Sequence, residues 1–120
     1  MAENNIDDDI IGVAFDGVGY GLDGNIWGGE FFVIKNRDVK RAAGFNYFKL
    51  PGGDLCSSEI WRSFLSIFSS NRGFVKSFLK DRVDPKNVDI VFNMMDKNIN
   101  SPLSSSVGRI FDAVSVLVTG

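Results

Sequence analysis

Glycine recurs at short intervals between Val13 and Glu30, in the segment VAFDGVGYGLDGNIWGGE, directly after an apolar run. Successive glycine amides in a turn can point into one concavity and bind the oxygens of an anion such as phosphate. Asp16, at the end of the apolar run, could hold a metal–phosphate complex or orient a hydroxyl group. The alternative is a plain hairpin, closed at Asp23-Gly24, in which Asp16 satisfies turn amides. The segment alone favours the plain hairpin, because short motifs often match by chance.

Two better-known glycine motifs do not apply to this segment. Gly19 to Gly24 fits the pattern G-x-G-x-x-G, but a dinucleotide fingerprint connects a strand to a helix, and here both flanking segments predict strands. The glycine loop of protein kinases does lie in a hairpin, but the VAIK, HRD and DFG sequences that should follow are absent. A phosphate role would therefore rest on the hairpin amides themselves.

A second polar group precedes the last predicted helix, in SPLSSSVGRIFDA from Ser101 to Ala113. Serine hydroxyls, free amides and the positive end of a helix can together bind an anion. Asp112 lies four residues after Gly108, on the same helix face, and could reach a ribose or a metal. The alternative is structural: the serines cap the helix, and Arg109 and Asp112 form an exposed ion pair. This segment alone also favours its structural alternative.

Composition excludes several other kinds of chemistry. The 120 residues suffice for one small domain, and their lack of histidine excludes Ser-His-Asp and Cys-His catalysis within this chain. A metal held by these residues alone would need oxygen ligands. The net charge of −2 argues against a nucleic-acid-binding domain, and no apolar run is long enough to span a membrane. The single cysteine, Cys56, predicts a reducing, cytoplasmic setting and no nucleophilic role.

Residues 10–50 predict a three-stranded antiparallel β-meander. The strands are Ile10–Phe15, Ile26–Ile34 and Val39–Leu50, with a bulge or close approach at Gly28-Gly29. The residues Asp23-Gly24-Asn25 strongly favour a tight hairpin turn between the first two strands. Because three strands leave both sheet edges open, we expect a piece of something larger or a swapped oligomer.

Residues 54–118 predict about four helices packed on this sheet, so the expected fold class is α+β. Asp84 and Pro85 mark one helix start, as N-cap and first-turn residue. Apolar stripes at helical spacing predict buried faces in the earlier helices, at Ile60, Trp61, Phe64, Leu65 and Phe68 and at Val88, Val91, Phe92 and Met95. In the last helix, from about Ser105, the stripe predicts burial of Val107, Ile110, Phe111, Val114, Leu117 and Val118.

Four segments, taken in order, resemble one family. They are VAFDGVGYGLDGNIWGGEF (Val13–Phe31), LPGGD (Leu50–Asp54), WR (Trp61 and Arg62) and SPLSSSVGRIFDAV (Ser101–Val114). Together they look like the HypF-type carbamoyltransferases of nickel–iron hydrogenase maturation, in a collinear match over about Ile11–Gly120. Four motifs at fitting intervals are far more specific than any one, so the resemblance favours anion binding at both the glycine and the serine segments.

The resemblance implies a fragment of the TsaD-like domain, with an actin-like ATPase (ASKHA) fold, here as an incomplete ribonuclease H-like subdomain. Such enzymes use carbamoyl phosphate and ATP to form carbamoyl adenylate. They then pass the carbamoyl group to the C-terminal cysteine of the partner protein HypE, toward the cyanide ligands of the hydrogenase. The implied phosphate-gripping hairpin is Asp16, Gly17, Gly19, Tyr20 and Gly21. The implied nucleotide-binding residues are Ser105, Gly108, Arg109 and Asp112, with Asp112 near the sugar.

This sequence departs from the family pattern in ways that limit the expectation. Val18 stands where the family often has threonine, and Ser104 replaces a usual threonine but keeps the hydroxyl. The histidine-rich metal motif of the family precedes the segment matched by Met1–Asn5. We therefore expect ATP with Mg²⁺ in the parent enzyme, and a metal ion bound by parts outside this chain. The expectation is an internal fragment that contributes half of a nucleotide cleft, does not catalyse alone and has no identified catalytic residues. The alternative is a free-standing module that binds a partner protein and no nucleotide.

Overall fold

A computed structural model describes residues 10–20 and 25–119, with the backbone alone for residues 16–20. Its first three strands are β1 (Ile10–Tyr20), β2 (Ile26–Lys35) and β3 (Asp38–Gly44), paired as an antiparallel meander. The hairpin predicted at Asp23-Gly24-Asn25 falls largely outside the described residues.

Two short strands extend the sheet beyond the meander. β4 (Phe48–Lys49) pairs antiparallel with β5 (Leu103–Ser104), and β5 also runs parallel to β2, with Ser104 opposite Ile26. The predicted third strand is therefore wrong beyond Gly44, because the chain leaves β2 there and pairs again only in β4. The position of β5 brings the residues before the last helix to the β1–β2 hairpin.

The described part of the chain also contains five helices. They are α1 (Leu55–Ser58), α2 (Trp61–Ile67), α3 (Arg72–Leu79), α4 (Pro85–Asp96) and α5 (Val107–Thr119). The predicted start of α4 is confirmed, since the Asp84 carboxylate accepts a hydrogen bond from the Lys86 amide at 3.0 Å and Pro85 opens the helix. None of these helices is both long and apolar enough to cross a lipid bilayer. The fold class is α+β, as predicted.

A cluster of buried apolar side chains lies among the helices, with α2 at its centre. Phe64 of α2 is fully buried, and its ring centroid lies 5.0 Å from that of Phe68 and 4.9 Å from that of Phe78. The stripes predicted in α2 and α4 contribute to this cluster, which contains Phe64, Leu65, Val75, Leu79, Val88, Val91, Phe92, Met95, Ala113 and Val116. The predicted inner faces of these two helices are therefore confirmed.

The predicted buried face of α5 is wrong. This helix packs on α2 through Ala113 and Val116, which belong to the buried cluster. Four residues of the predicted stripe are instead exposed: Phe111, Val114, Leu117 and Val118. Helical spacing identifies an apolar face, but it does not say whether that face or a face of small residues meets the neighbouring helix.

Candidate functional site

β1 and β2 lose their regular register in the glycine-rich segment. Phe15 pairs with Gly29 and Gly19 pairs with Trp27, so residues 16–18 of β1 stand opposite Gly28 alone. A bulge of this kind bends the strand and leaves backbone groups outside the hydrogen-bonded ladder. The predicted irregularity at Gly28-Gly29 is present, with the extra residues on the facing strand.

The predicted phosphate hairpin coincides with this bulge. The backbone of Asp16 and Gly17 lies within it, and Gly19 and Tyr20 continue β1 beyond it. The side chains of these residues and the whole of Gly21 lie outside the described part of the chain. Their assignment to phosphate binding stays a prediction.

Three consecutive buried serines lead into α5. Ser106 Oγ accepts from the Arg109 amide at 3.3 Å, and Ser104 Oγ accepts from the Ser106 amide at 3.0 Å. These bonds confirm that serines cap the helix. The Ser105 amide donates to the Ile26 carbonyl at 3.0 Å, which joins the start of α5 to β2.

A buried carboxylate that the sequence analysis did not identify connects these two segments. Glu30 of β2 is only 1% exposed. Its Oε2 accepts from the amides of Gly28 and Gly29 at 2.9 and 2.5 Å. Its Oε1 accepts from Arg41 Nη2 at 3.0 Å and from Ser105 Oγ.

A charge removed from water is tolerated when an opposite charge and hydrogen bonds satisfy it, as they do here. A glutamate inside the apolar run IWGGEFFVI was the available signal.

Aromatic side chains fix the cationic partner of Glu30. The Arg41 guanidinium lies 4.5 Å from the ring centroid of Trp27 and 5.3 Å from that of Tyr47. The Trp27 Nε1 group in turn donates to the Tyr47 hydroxyl at 2.8 Å. Because cations are attracted to aromatic faces, this arrangement holds the guanidinium against the Glu30 carboxylate.

The first turns of α5 carry the remaining predicted site residues. Gly108 is partly buried, and Arg109 Nε lies 2.8 Å from Asp112 Oδ2, with only 14% and 27% of the two side chains exposed. The ion pair of the structural alternative is therefore present, but it is partly buried rather than exposed. The two atoms are not aligned for a hydrogen bond, so Asp112 Oδ2 is a buried oxygen that accepts none from the described residues.

The other two motifs form a local structural unit. Gly52 and Gly53 adopt positive φ angles of 89° and 58°, which side chains disfavour. Arg62 Nη1 donates to the Pro51 carbonyl at 3.2 Å, and a Cβ at Gly52 would lie 2.8 Å from that nitrogen. LPGGD and WR thus stabilise one another. Within the described part of the chain, no three histidine, cysteine, aspartate or glutamate side chains converge as metal ligands.

Comparison with known proteins identifies the family. The model of the carbamoyltransferase Kae1-like domain, second subdomain, matches residues 12–120. The chain belongs to the HypF carbamoyltransferase family. It is 37% identical over 123 residues to the probable carbamoyltransferase HypF of Methanocaldococcus jannaschii, a match that covers 98% of this chain and 16% of the relative. With the carbamoyltransferase HypF of Synechocystis it shares 32% identity over 139 residues, covering 98% and 18% of the two proteins.

Solved HypF structures match the whole fold. A crystal structure of full-length HypF in the phosphate- and nucleotide-bound form has a TM-score of 0.89 and 40% identity, covering 99% of this chain and 16% of that one. The T. kodakarensis HypF structure has a TM-score of 0.78 and 37% identity, covering 96% and 16%. The chain therefore spans about a sixth of these proteins. The family resemblance is confirmed, and the chain corresponds to one subdomain of these carbamoyltransferases.

Proposed function

We propose that this chain supplies part of the phosphate and nucleotide cleft of a cytoplasmic HypF enzyme. The enzyme would use carbamoyl phosphate and ATP to form carbamoyl adenylate, and transfer the carbamoyl group to the C-terminal cysteine of HypE for hydrogenase cyanide ligands. The observation that carries the proposal is the hydrogen bond from the Ser105 amide to the Ile26 carbonyl. It joins the start of α5 to the glycine hairpin, and the family resemblance predicts anion binding at both of these segments.

The start of α5 has the chemistry that a nucleotide phosphate needs. The first amides of a helix have no acceptor within the helix and carry the positive end of its dipole. The hydroxyls of Ser105 and Ser106 already have protein partners, so these serines hold the turn in place while backbone amides bind the anion. Gly108 has no side chain to cover these amides, and Arg109 adds a positive charge that is paired with Asp112.

Asp112 is suited to a sugar hydroxyl. Its Oδ2 is buried and lies 2.8 Å from Arg109 Nε, while 27% of the side chain is exposed. A ribose hydroxyl would donate to the exposed part of the carboxylate. Mg²⁺ that arrives with nucleotide phosphates needs only one or two carboxylates, and Asp112 and Asp16 are the candidates in this chain.

The glycine hairpin would bind the phosphate of carbamoyl phosphate or of the nucleotide through the backbone at Asp16, Gly17, Gly19, Tyr20 and Gly21. The bulge in β1 frees backbone groups for this purpose. The chemistry of the site is positioning and charge stabilisation. A full-length HypF that matches 99% of this chain was solved with phosphate and nucleotide bound, which supports a nucleotide function in the family.

The test is the substitution Asp112→Asn in the full-length enzyme. A hydrogen bond to a charged group contributes about 1.5 kcal/mol or more, so we expect ATP affinity to fall about ten-fold or more in calorimetric titration. The matched control is Asp89→Asn, which removes a carboxylate that is 65% exposed on α4 and should leave ATP binding unchanged.

Two results would reject the proposal. Unchanged ATP affinity in the Asp112→Asn enzyme would remove α5 from the nucleotide site. Failure of the wild-type enzyme to transfer radiolabelled carbamoyl groups to HypE in the presence of ATP, together with intact HypE binding, would favour the protein-binding module instead.

A further inference from the structure

Glu30 accepts hydrogen bonds from backbone amides at the point where the hydrogen-bonded ladder between β1 and β2 is interrupted. Gly28 faces the three residues 16–18, so it lacks a regular partner residue across the strand pair. The amides of Gly28 and Gly29 donate to Glu30 Oε2 at 2.9 and 2.5 Å. Because a buried amide without an acceptor is strongly unfavourable, the carboxylate stabilises this bulged form of the hairpin.

The second oxygen of the same carboxylate holds the turn into α5. Glu30 Oε1 accepts from Ser105 Oγ, across 75 residues of sequence. Ser105 directly precedes Ser106, whose hydroxyl caps α5 through the Arg109 amide. One side chain therefore fixes the hairpin bulge and the first turn of α5 relative to each other.

The surroundings leave this carboxylate little room to move. A Cβ at Gly44 would lie 2.9 Å from Glu30 Oε1 and 2.5 Å from Arg41 Nη2. Arg41 is itself held against the face of Trp27 at 4.5 Å. A charged, buried group with its donors in place on every side is a rigid support.

We propose that Glu30 is a positioning residue for carbamoyl transfer, which sets the spacing between the phosphate hairpin and the nucleotide end of the cleft. This inference rests on the proposed function of the two segments. Glu30 acts through Gly28, Gly29 and Ser105, since it is buried and its oxygens are occupied by protein donors. Alignment of reacting groups has steep effects on rate, and a misplacement of about 1 Å can cost about 100-fold.

The experiment compares the wild-type full-length enzyme with Glu30→Gln in ATP-dependent transfer of radiolabelled carbamoyl groups to HypE. We expect kcat to fall about 10- to 100-fold, because the two ends of the cleft lose their alignment. The KM for ATP and for carbamoyl phosphate should each change less than about three-fold, since each anion keeps its own backbone donors. A purely structural role would instead lower the amount of folded enzyme and leave kcat per folded molecule unchanged.

The matched control is Glu59→Gln, which makes the same chemical change in a side chain that is 42% exposed and outside the cluster. It should transfer carbamoyl groups at the wild-type rate. A milder variant, Ser105→Ala, keeps the charge pair and removes one contact, so kcat should fall less, about three- to ten-fold. The two substitutions should be non-additive in the double variant, because they remove the same connection.

Wild-type kcat in both Glu30→Gln and Ser105→Ala would overturn the positioning role and leave the proposed function intact. Absence of transfer by the wild-type enzyme would reject the proposed function itself. If Glu30→Gln does not fold, Ser105→Ala decides the question alone, with an unchanged kcat counting against the proposal.

Discussion

Burial of Cys56 predicts a specific loss of stability at alkaline pH. Burial raises the pKa of this thiol from 9.0 to about 11, outweighing the opposite effects of the Ser63 hydroxyl and of the Arg62 and Arg109 guanidiniums. The folded state therefore keeps a proton that the unfolded state releases near pH 9. The contribution of this thiol to the free energy of unfolding is fully present below pH 9 and is lost as the pH rises toward 11. The two pKa values differ by about 2, and at about 1.4 kcal/mol per unit the full loss is about 2–3 kcal/mol.

The assay is urea unfolding under reducing conditions, near pH 8 and near pH 10, of the wild-type protein and of Cys56→Ala. Substitution costs some packing at both pH values, but the variant has no thiol to ionise. From about pH 8 to about pH 10, the wild-type protein should lose about 1 kcal/mol more unfolding free energy than the variant. Equal losses would refute the reasoning, because they would mean that the thiol ionises as readily in the folded state as in the unfolded one.

Two further substitutions test the packing around the site and in the core. Gly29→Ala would put a Cβ 2.4 Å from the Phe45 ring and 2.7 Å from the Ser105 carbonyl oxygen, so urea unfolding should show a loss of about 1–3 kcal/mol. Its control, Gly12→Ala, meets nothing closer than 3.6 Å and should cost less than about 0.5 kcal/mol, and equal costs would contradict the geometry. Phe64→Ala should cost about 3–5 kcal/mol by the same measurement, because it leaves a cavity at the centre of the helices. Phe74→Ala, which truncates a side chain that is 38% exposed, should lower the free energy of unfolding by less than Phe64→Ala. A larger loss for Phe74→Ala would show that the core is centred elsewhere.

Features with short-range signals could be predicted from the sequence. The two adjacent residues Asp84 and Pro85 are enough to predict where α4 begins. The apolar stripes of α2 and α4 repeat within each helix, so they too are local patterns. The two candidate segments also rest on local patterns, glycine spacing and a serine run, and their role in anion binding stays a prediction. The family could be recognised because its four motifs occur in order along the chain.

Features that depend on distant partners could not be predicted in the same way. β5 is a two-residue strand whose only support is pairing with β2 and β4, so no local alternation marks it. Which side of α5 is exposed depends on the surface of α2 against which it packs. Glu30 was missed because its meaning depends on Ser105, 75 residues later in the chain. A charge inside an apolar strand signals a buried pair, but it does not name the partner.

The most direct test of the central claim is amide hydrogen exchange of the full-length enzyme with and without ATP and Mg²⁺. If the hairpin and the start of α5 form one cleft, peptides covering Asp16–Gly21 and Ser105–Asp112 should both exchange more slowly in the presence of nucleotide. A separate groove, lined by residues that include Lys49, Arg72 and Asp96, contains no residue of either segment. The exchange rates of its amides should not change with nucleotide. Slower exchange at that groove, with neither predicted segment affected, would contradict the account.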